Sequence, residues 1–353
     1  MPTKVTPVEL VPANYNQYED IDVTSYVNAG NTSGVFLEII NTTTTDKNFR
    51  IRKNGSTDDY VDVVQGSTGP NGYHKYVWIG VDSSDIFEIY LPASTVKCYL
   101  LGYLETSEAV FFDNAINLSN TSNNVWQDKD ISSYTGTDTA IAAFVMIYNN
   151  YTSGIIGGLR RNGSTDGTSL ATRTLMTVET THHVINVDAN EIFEAYTQAY
   201  TEMTFRLIGY MKDNIFGWTN RKDYSVSVTG SYQDMNFQSD VLRGNNGVFL
   251  YLRNSSTSPY PIAIREKGDT YDSYYYNYYA MGCWVGLDAD RYAEQKIGST
   301  NFDVFAIGYS WSVGGGTIAE VKNISEFSLG SIKQINGINV ASIRTFSERN
   351  VIV

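Results

Sequence analysis

The sequence predicts an all-β protein: three tandem antiparallel β-sandwich domains, jelly-roll-like, with an extended N-terminal arm and a short β C-terminal tail. Three observations predict it. An eight-residue stretch, Ile51-Arg52-Lys53-Asn54-Gly55-Ser56-Thr57-Asp58, returns as Leu159-Arg160-Arg161-Asn162-Gly163-Ser164-Thr165-Asp166 and, altered, as Ile264-Arg265-Glu266-Lys267-Gly268-Asp269-Thr270-Tyr271. The turn glycines stand 108 and 105 residues apart, which is the span of a copied domain and too long for a solenoid turn. The polar bulk is Asn, Thr, Ser, Gly and 27 Tyr, while charged residues make up only 18%. β-Branched and aromatic residues fit a pleated surface, and no capped helical period interrupts them.

Taken in order, residues 1–15 carry Pro7 and Pro12 and no helical period, and read as an arm. Repeat 1 spans 16–104, repeat 2 spans 125–211 and repeat 3 spans 230–310, joined by linkers at 105–124 and 212–229. Each repeat opens on an aromatic-X-Asp triplet: Tyr18-Glu19-Asp20, Trp126-Gln127-Asp128 and Tyr232-Gln233-Asp234. A strand pattern follows, Val35–Asn41, Ala143–Asn149 and Val248–Asn254. Positions 35, 37 and 39 stay aliphatic in every copy, so that face is expected in a core. Positions 38 and 40 run Glu/Met/Tyr and Ile/Tyr/Arg, so the opposite face is expected to be freer. The Asn-Gly turn supplies positive φ. Each repeat closes on Leu101-Gly102-Tyr103, Ile208-Gly209-Tyr210 or Ile307-Gly308-Tyr309. Beyond Gly314-Gly315-Gly316, the tail at 311–353 holds Ile332, Ile335, Ile338 and Ile343 about an Asn336-Gly337 turn. Two such short strands cannot form a core alone, so this tail is expected to dock.

Composition excludes several classes. A net charge of −13 with no basic patch argues against nucleic acid. No apolar run is long enough to insert in a membrane as a helix. The polar start after Met1 predicts no secretory signal peptide, hence synthesis in the cytoplasm, and Cys98 and Cys283 read as buried thiols.

Polar residues recur at four positions. The sets are Arg52, Arg160 and Arg265; Asp82, Asp188 and Asp288; Glu88, Glu194 and Glu294; and Asp20, Asp128 and Asp234. Clustered carboxylates could hold a hard cation in each domain. Arg–carboxylate pairs across strands and Asp side chains capping turns explain the same pattern without a metal, and that reading is preferred. His74, His182 and His183 do not recur at ligand spacing, and the double His reads as a surface strand end. No phosphate-binding loop or hydrolytic triad is present, so neither enzyme activity nor a cofactor is expected. In the run Tyr271–Tyr279, strand alternation splits the tyrosines between two faces, which makes Tyr274, Tyr276 and Tyr278 a candidate partner or glycan surface.

Tandem sandwich repeats, Asn/Thr/Tyr-rich strands and the Ile332–Ile343 segment resemble structural virion proteins of tailed bacteriophages, in the head-decoration, head-fibre and tail-associated class. The resemblance spans roughly 16–310 and attaches no catalytic role. It implies a component on the virion surface, anchored through its terminal arms. Its implied partners are capsid or tail proteins and further copies of itself. The alternative from the tyrosines and recurrent charges is an adhesion module for host or environmental glycans.

Overall fold

The structure is a computed structural model that describes residues 2–66, 72–168, 172–175, 179–212, 215–242, 245–256, 258–277, 280–311, 334–335 and 338–339. One compact unit extends to Trp311, and the described residues beyond it, 334–335 and 338–339, fall in a second unit. Among the described residues strand predominates, with a short helical turn at Ser132–Thr135.

Each repeat forms eight strands. In repeat 1 they are β1 (Thr3–Leu10), β2 (Tyr18–Asp22), β3 (Thr32–Asn41), β4 (Lys47–Lys53), β5 (Asp62–Val64), β6 (Tyr73–Gly80), β7 (Ile86–Tyr90) and β8 (Val96–Glu105). Repeat 2 has β9 (Ala109–Asn117), β10 (Trp126–Asp130), β11 (Ala142–Asn149), β12 (Ile155–Arg161), β13 (Thr172–Leu175), β14 (Glu179–Asn186), β15 (Ile192–Thr197) and β16 (Met203–Met211). Repeat 3 has β17 (Ile215–Asp223), β18 (Gln233–Asn236), β19 (Asn245–Asn254), β20 (Tyr260–Glu266), β21 (Tyr275–Asn277), β22 (Ala280–Gly286), β23 (Tyr292–Ile297) and β24 (Phe302–Trp311). The strands of a repeat fall into two antiparallel four-stranded groups. In repeat 1 these are β1-β8-β3-β6 and β2-β7-β4-β5, and the same order recurs in the other two repeats. One parallel bridge, Tyr73 to Tyr276, joins β6 to β21 and fuses a sheet of repeat 1 with a sheet of repeat 3.

The segments read from sequence as an arm and two linkers therefore belong to the repeats. They carry β1, β9 and β17, which pair with the last strands β8, β16 and β24. Their signal is weak because each is interrupted by a bulge, where the register jumps between Lys4 and Val8, between Phe111 and Ile116, and between Gly217 and Lys222. Pro7 sits in the first bulge, where no ladder hydrogen bond is lost. The close of each repeat also acquires a reason. Gly102, Gly209 and Gly308 lie against the carbonyl oxygens of Thr3, Val110 and Phe216, and a Cβ at any of them would run into that first strand.

Val35, Leu37, Ile39, Phe49, Phe87 and Leu100 form the core between the two sheets of repeat 1, and Val145, Ile147, Leu159, Phe193 and Phe205 do so in repeat 2. The opposite face of β3 is not free. All ten of its residues are buried, Glu38 and Ile40 included. That face looks onto a third cluster, which unites the repeat 3 core with Phe36 and Trp78 of repeat 1 and Phe144 and Met146 of repeat 2. Phe36, Phe144 and Phe249 occupy equivalent positions and are at most 1% exposed. The Trp78 ring stacks on Phe36 at 4.7 Å and packs against Phe144 at 5.5 Å and Phe249 at 6.5 Å. Positions 38 and 40 differ among the copies although Glu38 and Ile40 are buried, whereas position 36 is Phe in all three.

The described part of the tail is a two-residue pair, Gln334–Ile335 (β25) with Ile338–Asn339 (β26), in which Ile335 lies opposite Ile338 about residues 336–337. Ile332 and Ile343 lie outside the described residues.

Candidate functional site

The recurrent polar residues assemble into one device per repeat. Arg52 on β4 lies opposite Glu88 on β7, and Glu88 lies opposite Asp20 on β2. Arg160, Glu194 and Asp128 make the same ladder in repeat 2, and Arg265, Glu294 and Asp234 make it in repeat 3. Two carboxylates directly opposite each other repel, and the guanidinium on the third strand offsets this. Arg52 Nε donates to Glu88 at 2.8 Å and Nη2 at 3.1 Å; Arg160 Nε and Nη2 donate to Glu194 at 2.8 and 2.9 Å. Arg265 Nε donates to Glu294 at 2.9 Å. Each guanidinium lies over the aromatic ring that opens its repeat, at 3.8 Å from Tyr18, 4.3 Å from Trp126 and 3.5 Å from Tyr232. The Tyr18 and Tyr232 phenols donate to Asp59 and Asp272. Burial and these carboxylates push both phenols well above the usual tyrosine range.

The aspartates at the second recurrent position cap turns. Asp82 Oδ1 accepts from the Ser84 and Ile86 amides, Asp188 Oδ1 from Asn190 and Ile192, and Asp288 Oδ1 from Asp290 and Tyr292. The backbone at Asp85, Glu191 and Arg291 is left-handed, at φ 60°, 62° and 66°, and each cap stabilises that bend. Asn54 and Asn162 of the repeated turn donate to the outer oxygens of Asp82 and Asp188. In each repeat the arginine and glutamate pair across strands and the aspartate caps a turn. Among the described residues no group of three or more His, Cys, Asp or Glu could hold a metal ion.

Sequence reasoning missed what the repeated turn grips. Asn114, in the β9 bulge of repeat 2, accepts from Ser56 Oγ at 3.1 Å and from the Thr57 amide at 2.8 Å in repeat 1. Asn220, in the β17 bulge of repeat 3, accepts from Ser164 Oγ at 3.0 Å and the Thr165 amide at 2.9 Å in repeat 2. Asp58 accepts from the Ala115 amide and Asp166 from the Arg221 amide. Each turn therefore clasps the first strand of the following repeat. The third turn clasps repeat 1. Lys4 of β1 donates to Glu266 at 2.8 Å and to Asp269 at 2.6 Å. The third copy of the motif looks altered because its partner is a lysine instead of an asparagine. A readable signal did exist: Phe at position 36 and its equivalents is invariant, unlike 38 and 40, and marks the shared centre.

Other expected sites are placed differently. Tyr276 packs on the repeat 1 core, 5.7 Å from the Tyr73 ring, and its amide donates to Gly72 O. It is part of the seam between repeats 3 and 1, not an open face. Tyr274 is half-buried with Lys296 Nζ 4.0 Å from its ring, and Tyr278 lies outside the described residues. His182 and His183 are buried on β14 instead of ending a surface strand. His182 lies by Lys75 and Trp78 of repeat 1, and the His183 ring is 6.0 Å from Tyr251 of repeat 3, so both histidines lie between repeats. Burial, helped by the Lys75 charge, holds His182 down at about 3. Cys98 and Cys283 are free and buried, and burial pushes both thiols up.

No family model and no curated protein sequence matches the chain. Three solved structures are similar over most of its length. One is described as the triple jelly roll fold and turret assembly in an archaeal virus, at 12% identity, covering 87% of this chain and 89% of that one, with a TM-score of 0.24. A chain from the entire lipid-containing bacteriophage PM2 is 9% identical, with 92% and 90% covered and a TM-score of 0.14. The M60 catalytic domain with CBM51 domains from Clostridium perfringens ZmpB is 9% identical at a TM-score of 0.17, and this chain spans 36% of its length. At these scores none of the three establishes a common fold.

Proposed function

We propose that this chain is a non-enzymatic structural component of a virion, built as three jelly-roll-like sandwiches closed into one block and displayed on the particle surface. The cyclic clasp is the observation that carries the reading. Three repeats that grip one another in the order 1 to 2, 2 to 3 and 3 to 1 make a rigid unit with local pseudo-threefold character. Repeated polar residues that could have served a ligand are consumed by cohesion within and between repeats. The strands facing outward are short and charged: Tyr18–Asp22, Trp126–Asp130 and Gln233–Asn236 carry acids that discourage uncontrolled edge pairing. This suits a protein that must stay soluble until it meets its proper partners. Those partners are other capsid or tail proteins and further copies of the chain, with the tail as the anchoring element.

The test is immunogold labelling and mass spectrometry of purified particles from the source, alongside light scattering and negative-stain imaging of the isolated protein. Labelled particles and a defined oligomer are expected. Absence from intact particles overturns the reading. Binding of the isolated monomer to a glycan array would favour adhesion instead.

A further inference from the structure

Lys75, Asp62 and Glu179 form a buried triad where repeats 1 and 2 meet. Lys75 Nζ on β6 lies 2.6 Å from Asp62 Oδ1 on β5 and 3.4 Å from Glu179 Oε1 on β14, with side chains at most 10% exposed. The amine also donates to Thr180 O at 3.0 Å. Asp62 Oδ1 is crowded with donors: besides Nζ it accepts from the Thr180 amide at 3.1 Å and the Val63 amide at 2.7 Å. Asp62 Oδ2, equally buried, accepts no hydrogen bond. A simple buried ion pair would waste that oxygen, because a dry carboxylate needs its lone pairs satisfied. The arrangement fits an acyl-transfer site: an amine beside a carboxyl carbon, two backbone N–H groups on one oxygen, a second oxygen left to depart, and a carboxylate touching the amine.

We propose that Lys75 and Asp62 join spontaneously in an amide bond, with Glu179 of the neighbouring repeat relaying the protons. One ammonium proton passes to Asp62 Oδ2, leaving a neutral amine facing a neutral acid. The Nζ lone pair forms the new N–C bond at Asp62 Cγ, and the carbonyl π pair collects on Oδ1, where the Thr180 and Val63 amides hold it. Glu179 takes a second proton from Nζ and delivers it to the Oδ2 hydroxyl, which leaves as water as the carbonyl re-forms. An ammonium and a carboxylate become an amide and one water, with no oxidant and no co-reactant. Burial favours the neutral acid this needs: it pushes Asp62 up to about 6 against the pull of Lys75, and the nearby Glu179 charge adds to the rise. Because the relay comes from repeat 2, the bond forms only after the two repeats have docked. Repeat 1 is thereby stapled, β5 to β6, as a consequence of assembly. Thr181 and Met281 stand where repeat 1 has Lys75, so among the described residues the other two joints lack the amine at that position.

Intact-mass measurement of the full-length protein tests this. The folded wild type is expected at the sequence mass less one water, and its digest should yield a branched peptide joining Lys75 to Asp62. Lys75→Met and the near-isosteric Glu179→Gln are each expected at the full sequence mass, with circular dichroism showing that Glu179→Gln still folds. Folded wild type that stays at the full sequence mass, with Lys75 and Asp62 in separate linear peptides, overturns the proposal. A folded Glu179→Gln protein that still loses water overturns the relay.

Discussion

Arg160 illustrates how much one repeated side chain holds. Its two hydrogen bonds to Glu194 sit under the Trp126 ring, with side chains 17% and 12% exposed, so water screens the pair poorly. Replacing Arg160 by Met leaves Glu194 half-desolvated beside Asp128 and should cost about 2–4 kcal/mol by urea denaturation. Adding Glu194→Leu should recover part of that loss, because the stranded charge is removed; a double variant less stable than Arg160→Met would contradict it. His182 supplies a second residue-scale prediction. Its folded value of about 3 lies below the unfolded 6.5, so its contribution is complete above 6.5 and is lost as pH falls toward 3. The stability difference between wild type and His182→Gln should shrink by about 1.4 kcal/mol per pH unit well inside that window. A pH-independent difference would mean that water reaches the ring.

At the scale of elements, the decisive pieces are the bulged first strands. β9 and β17 belong by pairing to repeats 2 and 3, yet their bulges push Asn114 and Asn220 into the turns of repeats 1 and 2. Asn220→Ala removes the acceptor for Ser164 Oγ and the Thr165 amide, and should cost about 1–3 kcal/mol. Amide exchange at 163–166 should rise more than exchange within β11 or β16. Uniform acceleration would instead mean that the turn and the sheet open together. These elements also mark what the sequence could disclose. The turn was legible because its Gly55, Gly163 and Gly268 need positive φ, at 79°, 77° and 86°, and such a need keeps residues alike across copies. The alternation of Val35, Leu37 and Ile39 was legible because the core these residues fill accepts apolar side chains. β1, β9 and β17 were not legible, because a bulge destroys the period of two and Asn114 and Asn220 fall at unequal distances from their turns. The burial of the outer face of β3 was hidden because positions 38 and 40 differ among the copies, which in one sequence looks like freedom.

For the whole molecule, the chemistry of closure sets how the block opens. Two joints run between consecutive repeats and combine asparagine side chains bonded to backbone and hydroxyl groups with ion pairs, Lys53 with Asp113 in the first and the buried Arg221 with Asp166 in the second. The third joins the ends of the unit. It relies on Lys4 with Glu266 and Asp269, whose side chains are 36%, 29% and 22% exposed, and on the Tyr73–Tyr276 bridge. Pairs this exposed contribute at most about 1 kcal/mol and weaken as salt shortens the screening length from about 10 Å at 0.1 M to about 3 Å at 1 M. Neutral hydrogen bonds respond far less. Raising the salt concentration over that range should therefore speed amide exchange in β1 more than in β17, whose Arg221–Asp166 pair is buried and poorly screened. Lys4→Gln should bring β1 to its high-salt rate already at low salt and abolish the salt response. If β1 stayed salt-sensitive in that variant, the screened contact would have to lie elsewhere; if all three first strands responded alike, the three joints would be energetically equivalent despite their different partners.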